Sequence, residues 1–205
     1  MHHYRLLETS GFPTLSIDGI RMHRTKDTNP EDDARAKVSA LNIREGILLD
    51  TCCGLGYTAI ESAKYASLVV TYEKSPEVIE LAKQNPCSRE LFLDEKITLI
   101  EGDVFNEIKK FNNNYFNYII HDPPRLAFAG ELYGSVFYMQ LFRVLARGGK
   151  MFHYIGSPGA RYRNKNIKKG AVRRLMDAGF LVRKRDELLG LICVKPWKKV
   201  LYPEL

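Results

Sequence analysis

From residue 46 onward, unbroken apolar runs alternate with segments that repeat apolar residues every three or four positions. "GILLDTC" (46–52) is apolar throughout, the pattern of a strand buried on both faces. "YTAIESAKYA" (57–66) has helical spacing, with Ile60, Ala63 and Ala66 inward. "LVVTYE" (68–73) predicts the next strand, after which Ser75 and Pro76 place an N-cap and an N1 proline before a helix in "EVIELAKQN" (77–85). Strands follow at "ITLIEGD" (97–103) and "FNYIIHD" (116–122), with a short helix near 104–111 between them. A longer helix over 132–146 presents Phe137, Leu141, Val144 and Leu145, and is predicted to end at the pair Gly148-Gly149. "KMFHYIG" (150–156) is a fifth strand, "KKGAVRRLMDAGF" a further helix, and "LVRKRDELL" with "GLICVKPW" an antiparallel pair.

Strands alternating with crossover helices predict an α/β fold with a doubly wound, mostly parallel sheet. The first 45 residues differ. "LSIDGIRMHRT" reads as a hairpin turning at Asp18-Gly19, and "NPEDDARAKVSAL" has the Asn-Pro and acidic first turn of a helix start. Residues 1–45 are therefore expected to form a hairpin-and-helix cap on the same domain as 46–205.

Composition narrows the class. A chain of 205 residues with 45% hydrophobic and 27% charged residues is most simply one globular domain. No apolar stretch approaches the roughly 18 residues that a membrane span needs. "MHHYRLLETS" has no secretory pattern, so a cytoplasmic location is the expectation. Cys52, Cys53, Cys87 and Cys193 lack metal-type spacing and are expected to be reduced, with no metal bound. The net charge of +7 allows a polyanionic partner. Its density is greatest in "RYRNKNIKKGAVRR" (161–174), which reads either as a solvated face or as a phosphate-contacting surface.

In an open parallel sheet, ligands bind beyond the carboxyl ends of the strands. Here each of the first four strands delivers an acid to that end. The first ends in "LLDTCCGLGYTA", where Gly54 and Gly56 allow a sharp turn and close approach of a ligand. "GLGYTA" alone also fits a dinucleotide fingerprint. Asp50, four residues earlier, would repel a pyrophosphate but suit a cationic ligand. Glu73 ends the second strand, placed for two ribose hydroxyls, and Asp103 ends the third, placed for an exocyclic amine. Asp122 ends the fourth in "IIHDPPR", where Pro123 and Pro124 impose a stiff, extended exit.

That series of acids resembles the class I S-adenosylmethionine-dependent methyltransferases over about residues 46–195. "DTCCGLGYTAIE", "LAKQNPCSREL", "IIHDPPRLAFAGELY" and "GGKMFHYIGSPG" are similar to a group of predicted archaeal methyltransferases. The resemblance implies a Rossmann-like, seven-stranded sheet with an antiparallel C-terminal strand, and S-adenosylmethionine as cofactor. By position it places Asp50, Gly54 and Gly56 along the methionine part, Glu73 on the ribose, and Asp103 with Val104 on the adenine.

"DPPR" further resembles the Asn/Asp-Pro-Pro-aromatic motif of methyltransferases acting on amino groups. Asp122 would then align the accepting nitrogen as the catalytic residue, with His121, Pro123, Pro124 and Arg125 at the substrate. Arg125 stands where that motif has an aromatic residue, which leaves a planar substrate open to question. Uracil-C5 enzymes also carry "DPPR" but need a cysteine after the fifth strand, where this chain has "YIGSPG". The expected partner is RNA, with Arg161 and Tyr162 contacting it, or a small-molecule amine. The alternatives are an aminopropyl transferase like the spermidine synthases and a non-catalytic RNA-binding protein on the same fold. The first lacks its "GGG" loop and would meet Arg125; the second leaves the four acids unexplained. A nicotinamide oxidoreductase is disfavoured by Asp50.

Overall fold

The computed structural model describes residues 2–156 and 163–198, with the side chains of 163–167 excepted. Three short strands come first: β1 (Tyr4–Leu7), β2 (Thr14–Ile17) and β3 (Ile20–Arg21), forming an antiparallel sheet in that order. The turn between β2 and β3 falls at Asp18-Gly19, both at positive φ (50° and 78°), the conformation a two-residue hairpin requires. Helix α1 (Pro30–Leu41) follows. Asn29 caps it by accepting from the Asp32 N–H, Pro30 occupies its first turn, and Glu31, Asp32 and Asp33 face the positive end of its dipole.

The main unit runs β4 (Ile47–Asp50), α2 (Tyr57–Ala63), β5 (Leu68–Glu73), α3 (Pro76–Gln84), α4 (Glu90–Leu93), β6 (Ile97–Glu101), α5 (Val104–Glu107) and β7 (Phe116–His121). It continues with α6 (Ser135–Val144), β8 (Leu145–Tyr154), α7 (Arg163–Asp177), β9 (Leu181–Arg185) and β10 (Gly190–Val194). Seven strands form one sheet in the order β6-β5-β4-β7-β8-β10-β9. β4 through β8 pair in parallel, and β10 lies antiparallel to both of its neighbours. This is the mixed, Rossmann-like sheet expected.

Alternation of side chains along each strand makes two cores. Leu48, Val69, Ile120, Phe152 and Ile192 face one layer with α1, α2 and the N-terminal sheet. Leu49, Val70, Ile119, Met151 and Leu191 face the other, with α6 and α7. Leu15, Ile17, Ala34, Val38 and Leu41 of the N-terminal segment pack into the first of these cores. Among the described residues, no helix is long and apolar enough to cross a membrane.

Two local expectations fail. The helix expected over 132–146 is shorter, preceded by a 3-10 turn at Gly130–Tyr133, and stops at Val144 without a glycine cap. Gly148 and Gly149 lie inside β8 instead, at a shift in its register with β7. Gly148 sits at φ 75°, and a Cβ there would come within 2.7 Å of the Trp197 ring. The glycines thus serve a bulge and a close approach rather than a helix stop. Ser75 precedes α3 as expected, but its hydroxyl bonds the Glu77 carboxylate and not a backbone N–H.

Because Asn29 satisfies an otherwise orphaned donor at the start of α1, Asn29→Ala is expected to destabilise the protein by about 1 kcal/mol. Thermal melts should show this as a Tm lower by about 2–4 °C.

Candidate active site

Sheet order reverses between β4 and β7, and a cavity of about 470 Å³ opens at the carboxyl ends of these strands. Its walls come from two sources. Thr51, Gly54, Glu73, Asp103 and Val104 lie at or just beyond the ends of β4, β5 and β6, whereas Leu15, Met22, Asp33 and Lys37 come from the N-terminal segment and α1. Asp122, Pro123 and Pro124 stand between them.

The glycine loop is tied to β5 by a carboxylate. Glu73 accepts the Gly54 N–H at 2.8 Å on one oxygen and the Ser75 N–H at 3.0 Å on the other. Burial raises the Glu73 pKa, and those N–H groups pull it back. Gly54 lies at φ 56° with open space where a Cβ would stand, so its backbone is bare to the cavity. Gly56 is different. A Cβ there would meet Leu91 at 2.7 Å, so Gly56 permits packing against α4 and does not line the cavity.

Asp50 is fully buried just behind the wall. Its Oδ2 accepts from the hydroxyls of Thr58 and Thr71, each at 3.1 Å, while Oδ1 has no hydrogen-bond partner among the described residues. Burial pushes its pKa up to about 7, against the Thr58 hydroxyl and with the help of the Asp122 charge. Asp103 reaches the cavity but is already engaged: one oxygen caps α5 at the Phe105 N–H, and the other pairs with the exposed Lys74 at 2.9 Å. Val104 lines the wall beside it.

Asp122 is gripped by a residue outside its own loop. Lys37 Nζ lies 2.6 Å from Asp122 Oδ2 and 2.6 Å from Asp33 Oδ2. Arg24 takes the other Asp33 oxygen at 2.9 Å. Burial disfavours the Lys37 ammonium, but the two carboxylates outweigh it and raise its pKa above the usual lysine value. Asp122 Oδ1 makes no hydrogen bond with any described residue, and the side chain is 22% exposed toward the cavity. The Tyr133 hydroxyl donates to the Pro124 carbonyl at 3.0 Å, fixing the double-proline exit.

His121 does not reach the cavity. It is fully buried, with Nδ1 at 2.8 Å from the Thr51 hydroxyl and Nε2 at 3.0 Å from the Leu132 carbonyl. The His153 ring lies tilted against it at 4.4 Å between centroids, and burial first, then His153, holds His121 well below the usual histidine pKa. The expectation that His121 touches substrate is corrected accordingly: its neighbours complete its bonding inside the core. Arg125 is exposed and lies outside the cavity walls. Arg161 and Tyr162 lie outside the described residues.

Comparison with known proteins decides the family. Residues 45–128 match the model of a family described as RNA cap guanine-N2 methyltransferase. The uncharacterized protein MJ1233 of Methanocaldococcus jannaschii is 49% identical over 196 residues, covering 95% of this chain and 67% of that one. A structure from Methanococcus maripaludis, described as a methyltransferase dependent on S-adenosyl-L-methionine, aligns with TM-score 0.58 at 20% identity, over 83% of this chain and 87% of the other. The chain belongs to the class I S-adenosylmethionine-dependent methyltransferases. The methyltransferase also shares its fold with spermidine synthase from Thermotoga maritima, at TM-score 0.73 and 18% identity, over 98% of this chain and 70% of that one.

The residues present suit S-adenosylmethionine. Gly54 offers a cradle that any Cβ would fill, and Asp50 Oδ1 leaves an unneutralised acceptor behind it. A cation in the cavity relieves the crowding of Asp50, Glu73 and Asp122, which a pyrophosphate would aggravate.

Sequence reasoning missed Lys37 and Asp33. A signal existed: the buried face of α1 is Pro30, Asp33, Ala34, Lys37, Val38 and Leu41, a single helical stripe that includes two charges four residues apart. Charged residues on an inward stripe need partners.

The Asp50 shift has a defined sign. Its folded pKa lies above the unfolded value, so it stabilises fully below about pH 4 and loses that contribution as pH rises to about 7. His23 and His153, pushed down to about 4 by burial, act oppositely, losing stability as pH falls from about 6.5 to 4. Asp50→Asn isolates the first effect. Denaturant titrations should show this variant gaining on wild type between pH 5 and 8; a constant difference would refute the assignment.

Proposed function

We propose that this methyltransferase modifies an amino nitrogen, of RNA or of a small molecule, presented to Asp122. One observation carries the reading: Asp122 has one oxygen pinned by Lys37 and the other without a hydrogen bond among the described residues, on the wall of the cavity that Gly54 and Glu73 also line. A carboxylate oxygen so held can accept an N–H and turn the nitrogen lone pair in a fixed direction. The matched family model, whose description names the N2 amine of guanine, spans the segment from the glycine loop through "DPPR" and supports an amino acceptor.

In this reading, Gly54 and the field of Asp50 hold the methionine portion of the cosubstrate, Glu73 takes the ribose, and Asp103 with Val104 takes the adenine. Glu73 retains lone pairs beyond the two spent on Gly54 and Ser75. Gly56 contributes by setting the loop against Leu91. When bound, S-adenosylmethionine supplies a methyl group on a sulfonium. Asp122 aligns the acceptor, Pro123 and Pro124 shape the approach, and the apolar walls at Leu15, Met22 and Leu132 exclude water. Arg125, outside the cavity, is assigned to RNA phosphates or bases, as are Arg161 and Tyr162.

Superposition on spermidine synthases over nearly the whole chain keeps aminopropyl transfer as the second reading. Supplying decarboxylated S-adenosylmethionine in place of the parent compound separates the two by the mass added to the product.

Asp122→Ala is expected to lower methyl transfer by about 10²-fold or more, as misplacement of a reacting group does. Calorimetry should find S-adenosylhomocysteine affinity within about twofold of wild type, because among the described residues no hydrogen bond joins Asp122 to Gly54, Glu73 or Asp103. Mass spectrometry of nucleosides and metabolites from cells carrying either form identifies the acceptor as the methylated species lost. For an RNA acceptor, neutralising Arg161, Arg163 and Lys165 together should flatten the dependence of log affinity on log salt by about 2–3 units. An unchanged slope favours the small molecule.

A further inference from the structure

The surroundings of the Lys37 ammonium have the make-up of an amine-binding cage. Two carboxylate oxygens lie 2.6 Å from Nζ, and the Tyr154 ring lies beneath it with its centroid at 4.6 Å. Carboxylates and an aromatic face are the groups that a protein uses to bind an alkylammonium ligand. The cage borders the cavity, since Asp33, Lys37 and Asp122 all line it. The chain fills the cage from within.

We infer that Lys37 is a resident cation that occupies this cage and restricts the acceptor at Asp122 to nitrogens carrying no positive charge. This rests on Asp122 facing the acceptor, as proposed above. The charges of the cluster are Arg24 and Lys37 against Asp33 and Asp122, which cancel. A second ammonium entering beside Lys37 would lose its hydration and find no net negative charge to compensate. An aromatic amine or amide nitrogen carries no such penalty and still donates an N–H to Asp122 Oδ1. Lys37 also fixes the orientation of the Asp122 carboxylate, so it is a specificity and positioning residue contributed by the N-terminal segment.

The test refills the cage from outside. Lys37→Ala removes the three methylenes and the ammonium beyond Cβ, a shape that n-propylammonium reproduces. Thermal melts of wild type, Lys37→Ala and Lys37→Ala/Asp122→Asn are run with n-propylammonium chloride, with sodium chloride at equal ionic strength, and with n-propanol as an uncharged void filler. For a dissociation constant on the order of 1 mM, 10 mM n-propylammonium should raise the Tm of Lys37→Ala by about 3–5 °C. Wild type should shift by less than about 1 °C, and the double variant should lose most of the gain. Equal rescue by n-propanol, no rescue by any additive, or an equal shift in wild type would each overturn the inference.

Should Lys37→Ala not fold, Lys37→Met, which lacks only the terminal nitrogen position, is examined with ammonium chloride against sodium chloride at equal ionic strength and under the same criteria. Binding of S-adenosylhomocysteine, measured on each protein, is expected to stay within about twofold. No methyl acceptor enters these melts. Failure of the cage with intact nucleoside binding therefore sinks this inference alone, whereas retained methyl transfer by Asp122→Ala would sink the reading on which it rests.

Discussion

An ammonium buried between two carboxylates is the junction on which this site depends. Lys37 belongs to α1 and Asp122 to the exit of β7, 85 residues later, yet their charged atoms lie 2.6 Å apart. Desolvating such a pair costs several kcal/mol per ion, so it is weak evidence for stability as such. Its consequence is geometric: with the Lys37 ammonium buried, neither carboxylate can leave without stranding it. The helix and the strand end are thereby held in one relation, and the carboxylate turns toward the cavity an oxygen that no described residue hydrogen-bonds.

The opposite side of the cavity is held by different means. Glu73 grips the loop through neutral backbone donors, and Asp50 leans on two threonine hydroxyls while one oxygen stays unmatched. Both acids lie in surroundings that disfavour their charge. A cationic ligand improves their solvation, so the wall facing the glycine loop is complementary to a guest. The wall built by α1 is complete in itself. The two halves thus differ in net field across one cavity.

Much of this was legible in the chain. Apolar runs located β4, β5 and β7 nearly to the residue, because strands buried on both faces leave no alternation to misread, and the edge strand β6 was found from its apolar residues although none of them is fully buried. The acids at Asp50, Glu73, Asp103 and Asp122 could be placed at strand ends for the same reason. What escaped were contacts between distant segments. Gly54 and Gly56 look alike in sequence, but one faces open space and the other Leu91, a residue on α4. Gly148-Gly149 follows a helix and resembles a stop; only the shifted pairing of β8 with β7 and the approach of Trp197 show it to be a bulge. His121 beside Asp122 looked exposed to substrate by adjacency, whereas period-two alternation turns neighbouring side chains to opposite faces. Lys37 was hidden because its partners, Asp122 and the Tyr154 ring, come from the far half of the chain.

The position of β10 bears on how the molecule is made. This strand is synthesised after β9 but lies between β8 and β9, antiparallel to both. Until residues 190–194 emerge, β8 has one bare edge and β9 has no partner at all. Assembly from the N-terminus therefore halts at an open ladder whose completion waits on a late, non-local insertion. A nascent chain stalled at that stage exposes a row of unpaired amides and carbonyls, the surface on which strands of neighbouring polypeptides pair by mistake.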